Sequence, residues 1–188
     1  MRPFLLFLFL TTAANLSAQD KFEHEQRIDA TEVPARAVDF VATFAPSRKV
    51  RWYEETSERD TTIEAKTKVA DRWYSIEFHR WGALEDVEVK VPYPELPAPV
   101  RDSICEQLYR QTERFRIAKT QIQYSGAPAL VRQAALGDAP GAVTVRYELV
   151  VRAQTEAGSE ALEFLFDEQG NQLSRKTIIY NNTDHLDY

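Results

Sequence analysis

The chain has 188 residues, a formal net charge of −6, a sequence pI near 5.2 and one cysteine. Its Lys and Arg are scattered among acids, which argues against nucleic acid and anionic membrane surfaces, since both select clustered basic residues. A lone thiol, Cys105, cannot build a disulfide framework, so the fold must stand on its core.

Met1-Arg2, the apolar run Phe4 to Leu10 and the small, polar stretch Thr11 to Ala18 have the layout of a secretory signal peptide, assigned to residues 1–19. The run is too short for a spanning helix, which needs about 20 apolar residues. Cleavage at or just after Ala18 or Gln19 would leave no lipid-bearing cysteine and no membrane insertion. The expected location is the periplasm or the exterior of the cell.

Val33, Ala37, Phe40, Val41 and Phe44 recur at helical spacing behind Pro34, which a helix tolerates in its first turn. After Pro46 the period becomes two. Val50 and Trp52 alternate with Arg51 and Tyr53; Ile63, Ala65, Thr67 and Val69 with Glu64, Lys66 and Lys68; Tyr74, Ile76 and Phe78 with Trp73, Ser75, Glu77 and His79; and Val87, Val89 and Val91 with Asp86, Glu88 and Lys90. The spacing predicts four strands with one apolar face covered by the helix, Trp52 facing inward, and a turn at Gly82 with positive φ. A second helix is predicted from Leu96 to about Phe115, with Val100, Ile104, Leu108 and Tyr109 on one side. Strands follow around Ile117 to Tyr124, Ala142 to Ala153, Ala161 to Asp167 and Gln172 to Tyr180, with a hairpin at Asp167-Glu168-Gln169-Gly170. The Gly-, Pro- and Ala-rich stretch 125–141 reads as a loop, with a short helix as the alternative, and Asn181 to Tyr188 as a polar tail.

The order of elements is stated twice. Glu32-Val33-Pro34-Ala35 pairs with Glu95-Leu96-Pro97-Ala98, Ile63-Glu64-Ala65 with Tyr147-Glu148-Leu149, and Ile76-Glu77-Phe78 with Phe164-Leu165-Phe166, at spacings that grow along the chain as loops lengthen. The expected fold is α+β: two tandem repeats, 20–92 and 93–188, each a helix packed on a four-stranded antiparallel sheet. Val33-Pro34 with Phe40 and Phe44, Val50-Arg51-Trp52-Tyr53, Ile63-Glu64-Ala65-Lys66, Tyr74-Ser75-Ile76-Glu77-Phe78 before Gly82, and Phe164-Leu165-Phe166-Asp167 before Gly170 carry the match. With them the chain resembles the PepSY-like, or β-lactamase-inhibitor-like, family of exported bacterial proteins. That resemblance implies an inhibitor or regulator of exported hydrolases. One departure is visible: the family's hairpin reads Phe-Asp before the turn, as at Phe166-Asp167, whereas the first turn is Phe78-His79-Arg80-Trp81.

No motif for chemistry stands out. His24, His79 and His185 lack metal spacing, the six glycines form no phosphate-cradling loop, and Cys105 reads as a small buried hydrophobe on the second helix. Glu85-Asp86 and Glu54-Glu55 are neighbours on strands, whose side chains point to opposite faces. Asn181-Asn182-Thr183 formally matches a glycosylation acceptor. No catalytic, cofactor or metal residue is therefore assigned, and the protein is expected not to be an enzyme. What remains is a sheet face displaying Arg51, Tyr53, Glu64, Lys66, Trp73, Glu77, His79, Glu88 and Lys90, then Arg146, Glu148, Arg152 and Glu163 with Val150 and Leu165. Aromatics among mixed charges suit protein recognition. Tyr53, Trp73, Glu77, His79 and Trp81 are the candidate partner-binding residues, with Trp73 and Trp81 read as two indoles near one hairpin. The expected partner is a protein or peptide; the alternative is a small-ligand-binding or structural envelope protein.

Overall fold

The computed structural model describes residues 19–21, 24–57, 60–138, 141–155 and 158–178; the leader through Ala18, the polar tail, Asn181-Asn182-Thr183 and His185 lie outside the described residues. In chain order the elements are β1 (Gln19–Lys21), β2 (His24–Ile28), α1 (Ala35–Ala42), β3 (Arg51–Thr56), β4 (Thr61–Val69), β5 (Arg72–His79), β6 (Leu84–Lys90), α2 (Ala98–Gln111), β7 (Arg114–Ser125), α3 (Pro128–Ala135), β8 (Thr144–Thr155), β9 (Gly158–Phe166) and β10 (Gln172–Ile178). Short 3₁₀ turns at Ala30–Glu32 and Tyr93–Glu95 lead into α1 and α2.

The expected pair of four-stranded sheets is overturned. Among the described residues all the strands belong to one sheet in the order β1-β10-β9-β8-β7-β6-β5-β4-β3-β2, antiparallel from β2 to β10 with β1 added in parallel to β10. The junction is β6 with β7, where Val87 faces Tyr124 and Val89 faces Ile122. Two separate sheets would expose four edges of unpaired backbone groups, and this pairing removes two of them. Alternation along a strand reveals its faces and says nothing of its edge partners. The polar β2, which had no apolar alternation to announce it, pairs with β3 and carries charge on that edge.

Helix boundaries also shift. Pro34 stands just before α1, and its carbonyl accepts the Ala37 N–H at 2.9 Å. α2 ends at Gln111 because Thr112 is already extended, its hydroxyl donating to the Leu108 carbonyl at 2.8 Å, so Phe115 belongs to β7. Tyr109, placed on the core side by periodicity, is 67% exposed and meets the Phe115 ring edge-on. The stretch 125–141, read as a loop, contains α3, which buries Val131, Ala134 and Ala135. Its Arg132 donates to the Thr43 carbonyl at the end of α1, and Tyr74 Oη on β5 donates to the Ala135 carbonyl at 2.9 Å.

Helices α1, α2 and α3 join a single core. Ala37 and Val41, Val100, Ile104 and Leu108, and Val131 pack with the inward residues of the sheet, including Trp52, Ile76, Phe78, Leu149, Phe164 and Phe166. Phe78 has no exposure and stands between Phe40 and Trp52, at ring-centroid distances of 6.0 and 6.3 Å. Gly82 and Gly170, both at φ +82°, turn the β5–β6 and β9–β10 hairpins against the starts of α1 and α2: a Cβ would meet Pro34 at 2.7 Å in the first and the Val100 carbonyl at 2.9 Å in the second.

The sheet is strongly curled. Lys21 and His24 lie on opposite edges although they are three residues apart, a span of about 10 Å at most. Laid flat, ten strands would hold those edges about 43 Å apart. The edges therefore approach one another at this end, and the face without helices becomes the inside of a trough.

Candidate functional site

The inside of the trough holds a pocket of about 180 Å³ whose walls come from seven consecutive strands, from Glu25 on β2 to Glu148 on β8. Curvature explains an unexpected property of this face. Glu64, Asp86, Glu88, Gln121 and Glu163, all on the helix-free side, are between 4% and 8% exposed. The face read from alternation as open and solvated is polar, but its middle is buried.

Cross-strand register creates two groups of three carboxylates. Tyr53, Glu64, Glu77 and Asp86 sit side by side on β3, β4, β5 and β6, and Asp86 and Glu88 share a face two residues apart. In one group, carboxylate oxygens of Glu25, Glu55 and Glu64 lie within 4.8 Å of one another; in the other, those of Glu77, Asp86 and Glu88 do. The first group is filled by the chain itself. Lys66 Nζ stands 2.8 Å from Glu64 Oε2 and 3.0 Å from Glu25 Oε2, and 4.8 Å over the Tyr53 ring. Burial alone would raise the Glu64 carboxyl, yet the Lys66 charge together with hydrogen bonds with Lys66, Glu55 and Ser75 outweighs it and holds Glu64 below the ordinary range; burial likewise opposes the charge on Lys66, and Glu64 with Glu25 and Glu55 overcomes it, so that Lys66 is held above its own.

The second group is not compensated in this way. Among the described residues no ion pair reaches Glu77, Asp86 or Glu88, and a hydrogen bond from the Gln123 amide reaches Glu88 Oε1 at 3.3 Å. Asp86 Oδ1 and Gln121 Oε1 are buried acceptors without a donor. Burial first, then mutual repulsion, pushes Glu77 and Glu88 well above the carboxylate range; burial, with Glu85, Glu148 and Glu64, pushes Asp86 up to about 7, against the pull of Arg146.

The candidate binding residues divide between the ends of this trough. Trp73 lines the pocket beneath Arg51, whose guanidinium is 5.8 Å from the ring centroid. Trp81 is at the opposite end of β5, in the β5–β6 turn. Six residues separate Trp73 from His79, about 20 Å of strand, so the two indoles do not share a hairpin and form no continuous aromatic face. At the Trp81 end the ring is 63% exposed and stacked on His79 with centroids 4.4 Å apart. His79 Nδ1 lies 3.5 Å from Glu85 Oε2, and the turn is closed by the Gly82 N–H donating to the His79 carbonyl at 2.7 Å. In the other hairpin Asp167 takes the equivalent place, and its carboxylate accepts the N–H groups of Gln169 and Asn171 at 2.9 and 2.7 Å. Glu77 lies between the two ends, in the acidic layer. Cys105 is a free, partly buried thiol on α2.

Neighbours in sequence, Glu85-Asp86 and Glu54-Glu55, do not form the acid groups. The convergence runs across strands and between residues two apart, a signal readable only once the strands are put in register. Carboxyls raised toward neutrality can move protons. An ion or a single side-chain tip fits this pocket better than a drug-sized ligand, which occupies roughly 300–1,000 Å³.

No protein-family model matches the chain, and no curated protein matches it significantly. A DUF2874 family protein from Bacteroides ovatus ATCC 8483, known from a crystal structure at 1.62 Å resolution, is similar at 9% identity and a TM-score of 0.48, over 77% of this chain and 87% of that one. A likeness so faint carries no weight for function. No helix among the described residues is long and apolar enough to cross a membrane.

Proposed function

We propose that the chain is an exported, non-catalytic module, periplasmic or secreted, that recognises a protein or peptide at the rim of its curled sheet, with Trp81 and His79 as anchor. The observation that supports this reading is the 63% exposure of Trp81 on a hairpin whose backbone is closed by hydrogen bonds and seated against α1 through Gly82. A tryptophan held in one place in water loses little conformational entropy on binding. Covering it would remove on the order of 150 Å² of mostly apolar surface, about 3–4 kcal/mol before ordering costs. Arg80, Glu85 and Glu54 surround it with charges that can set register. The resemblance to PepSY-like proteins makes an exported hydrolase the first class of partner to try.

The test is a selection of displayed peptides and exported hydrolases on the purified chain, followed by affinity measurement with Trp81→Ala. A tenfold or larger loss, with the thermal midpoint unchanged, supports the anchor. Binders that hold the variant as tightly as the parent overturn it.

A further inference from the structure

The trough contains two groups of three carboxylates, each with oxygens within 4.8 Å of one another, and among the described residues an ion pair closes only one of them. We propose that Glu77, Asp86 and Glu88 bind a divalent cation of the calcium class, with Gln121 lining the same pocket as Glu77 and Glu88. This goes beyond the Trp81 reading and does not rest on it.

The geometry suits such an ion. Oxygens within 4.8 Å of one another can share one ion, and calcium, with bonds of about 2.3–2.6 Å and a flexible coordination number, adapts to a cage fixed by strands more readily than magnesium, which demands near-ideal octahedral geometry. Carboxylates and a neutral amide oxygen are the hard donors that calcium takes, and no thiolate or imidazole belongs to the cage to favour zinc or copper. Asp86 is 7% exposed and Gln121 4%, and each has a buried oxygen that no donor reaches. A buried acceptor without a partner is costly. In the neighbouring cage that cost is met by Lys66, whereas Lys119 and Arg146 pull on Glu88 and Asp86 without forming an ion pair to them, Lys119 lying 3.5 Å from Glu148. Glu88 and Glu77 also line the pocket, which gives an ion a way in from the end where Trp73 stands.

The experiment is a calorimetric titration of calcium into the chelator-stripped protein at about pH 7.5, since carboxyl ligands must lose their protons to bind a metal, with thermal melts alongside. The parent is expected to take one ion per chain and to melt higher as calcium is added. Asp86→Asn is expected to lose at least tenfold in affinity while melting, without calcium, no lower than the parent, because it removes one of three repelling groups. Glu25→Gln, in the lysine-filled cage, should bind calcium as the parent does. A folded parent that takes up no calcium, magnesium or manganese at about 10 mM, beyond the weakest calcium modules, would overturn the proposal. So would an Asp86→Asn protein that binds as the parent does. Either result leaves the Trp81 selection unaffected, so the two readings fail separately.

Discussion

Replacing Lys66 by methionine is the sharpest way to ask whether the trough depends on an internal cation. The ammonium has 18% side-chain exposure, lies 2.8 Å from Glu64 and 3.0 Å from Glu25, and its removal leaves Glu64, at 5% side-chain exposure, facing two other carboxylates. Methionine keeps most of the stem's volume, so packing against Tyr53 survives and the change is mainly one of charge. Breaking a buried pair by deleting one partner costs about 3–5 kcal/mol, because the remaining charge is stranded. Part of Glu25 is solvated, so the lower half of that range is expected near pH 7.5. Denaturant melts in chelator would measure it, and the Lys66→Met, Glu64→Gln double variant should recover more than half of the loss, since the two sites couple directly. Acid should narrow the gap as the stranded carboxyls gain protons. A loss below about 1 kcal/mol, the range of a surface ion pair, would refute the reasoning.

Phe78→Ala should cost about 3–5 kcal/mol by opening a cavity between Phe40 and Trp52, measurable in the same melts. Gly170→Ala should destabilise by about 1 kcal/mol or more, because φ is +82° and the added Cβ would stand 2.9 Å from the Val100 carbonyl; a neutral result would mean that α2 can move away. In chelator the protein should lose stability as pH rises from about 5 to 8. Asp86 is held up to about 7, and Glu77 and Glu88 are held well above their ordinary value, so the folded state retains protons that the unfolded chain releases above about 4. The stability these groups contribute is complete below that point and is lost as pH climbs through their folded values. Glu64, whose folded value is lowered, acts only below about 4.5 and leaves this window alone. Asp86→Asn should flatten the slope.

Much of the fold is legible in the chain. Period-two runs place β3 to β6 and β8 to β10 close to their observed bounds, Trp52 and Phe78 face the core as alternation requires, and Gly82 takes positive φ. The curl is not legible. It arises from β6 meeting β7 and from residues 19–28 reaching both edges, which are long-range facts with no local pattern. The site follows the same rule. Trp81 is marked by its turn, but Glu64, Glu77 and Asp86 come together only through register between three strands, and the 125–141 stretch conceals α3 because its helix starts behind Ala127-Pro128 without a side-chain cap.

The most direct measurement is photo-crosslinking in cells from a benzoyl-phenylalanine at position 81, beside the same probe at position 109. Both native aromatics are more than 60% exposed, Trp81 on the trough rim and Tyr109 on α2 outside it. The account predicts a discrete protein adduct from position 81 and none from position 109. Adducts from 109 alone, or from neither position, would contradict it.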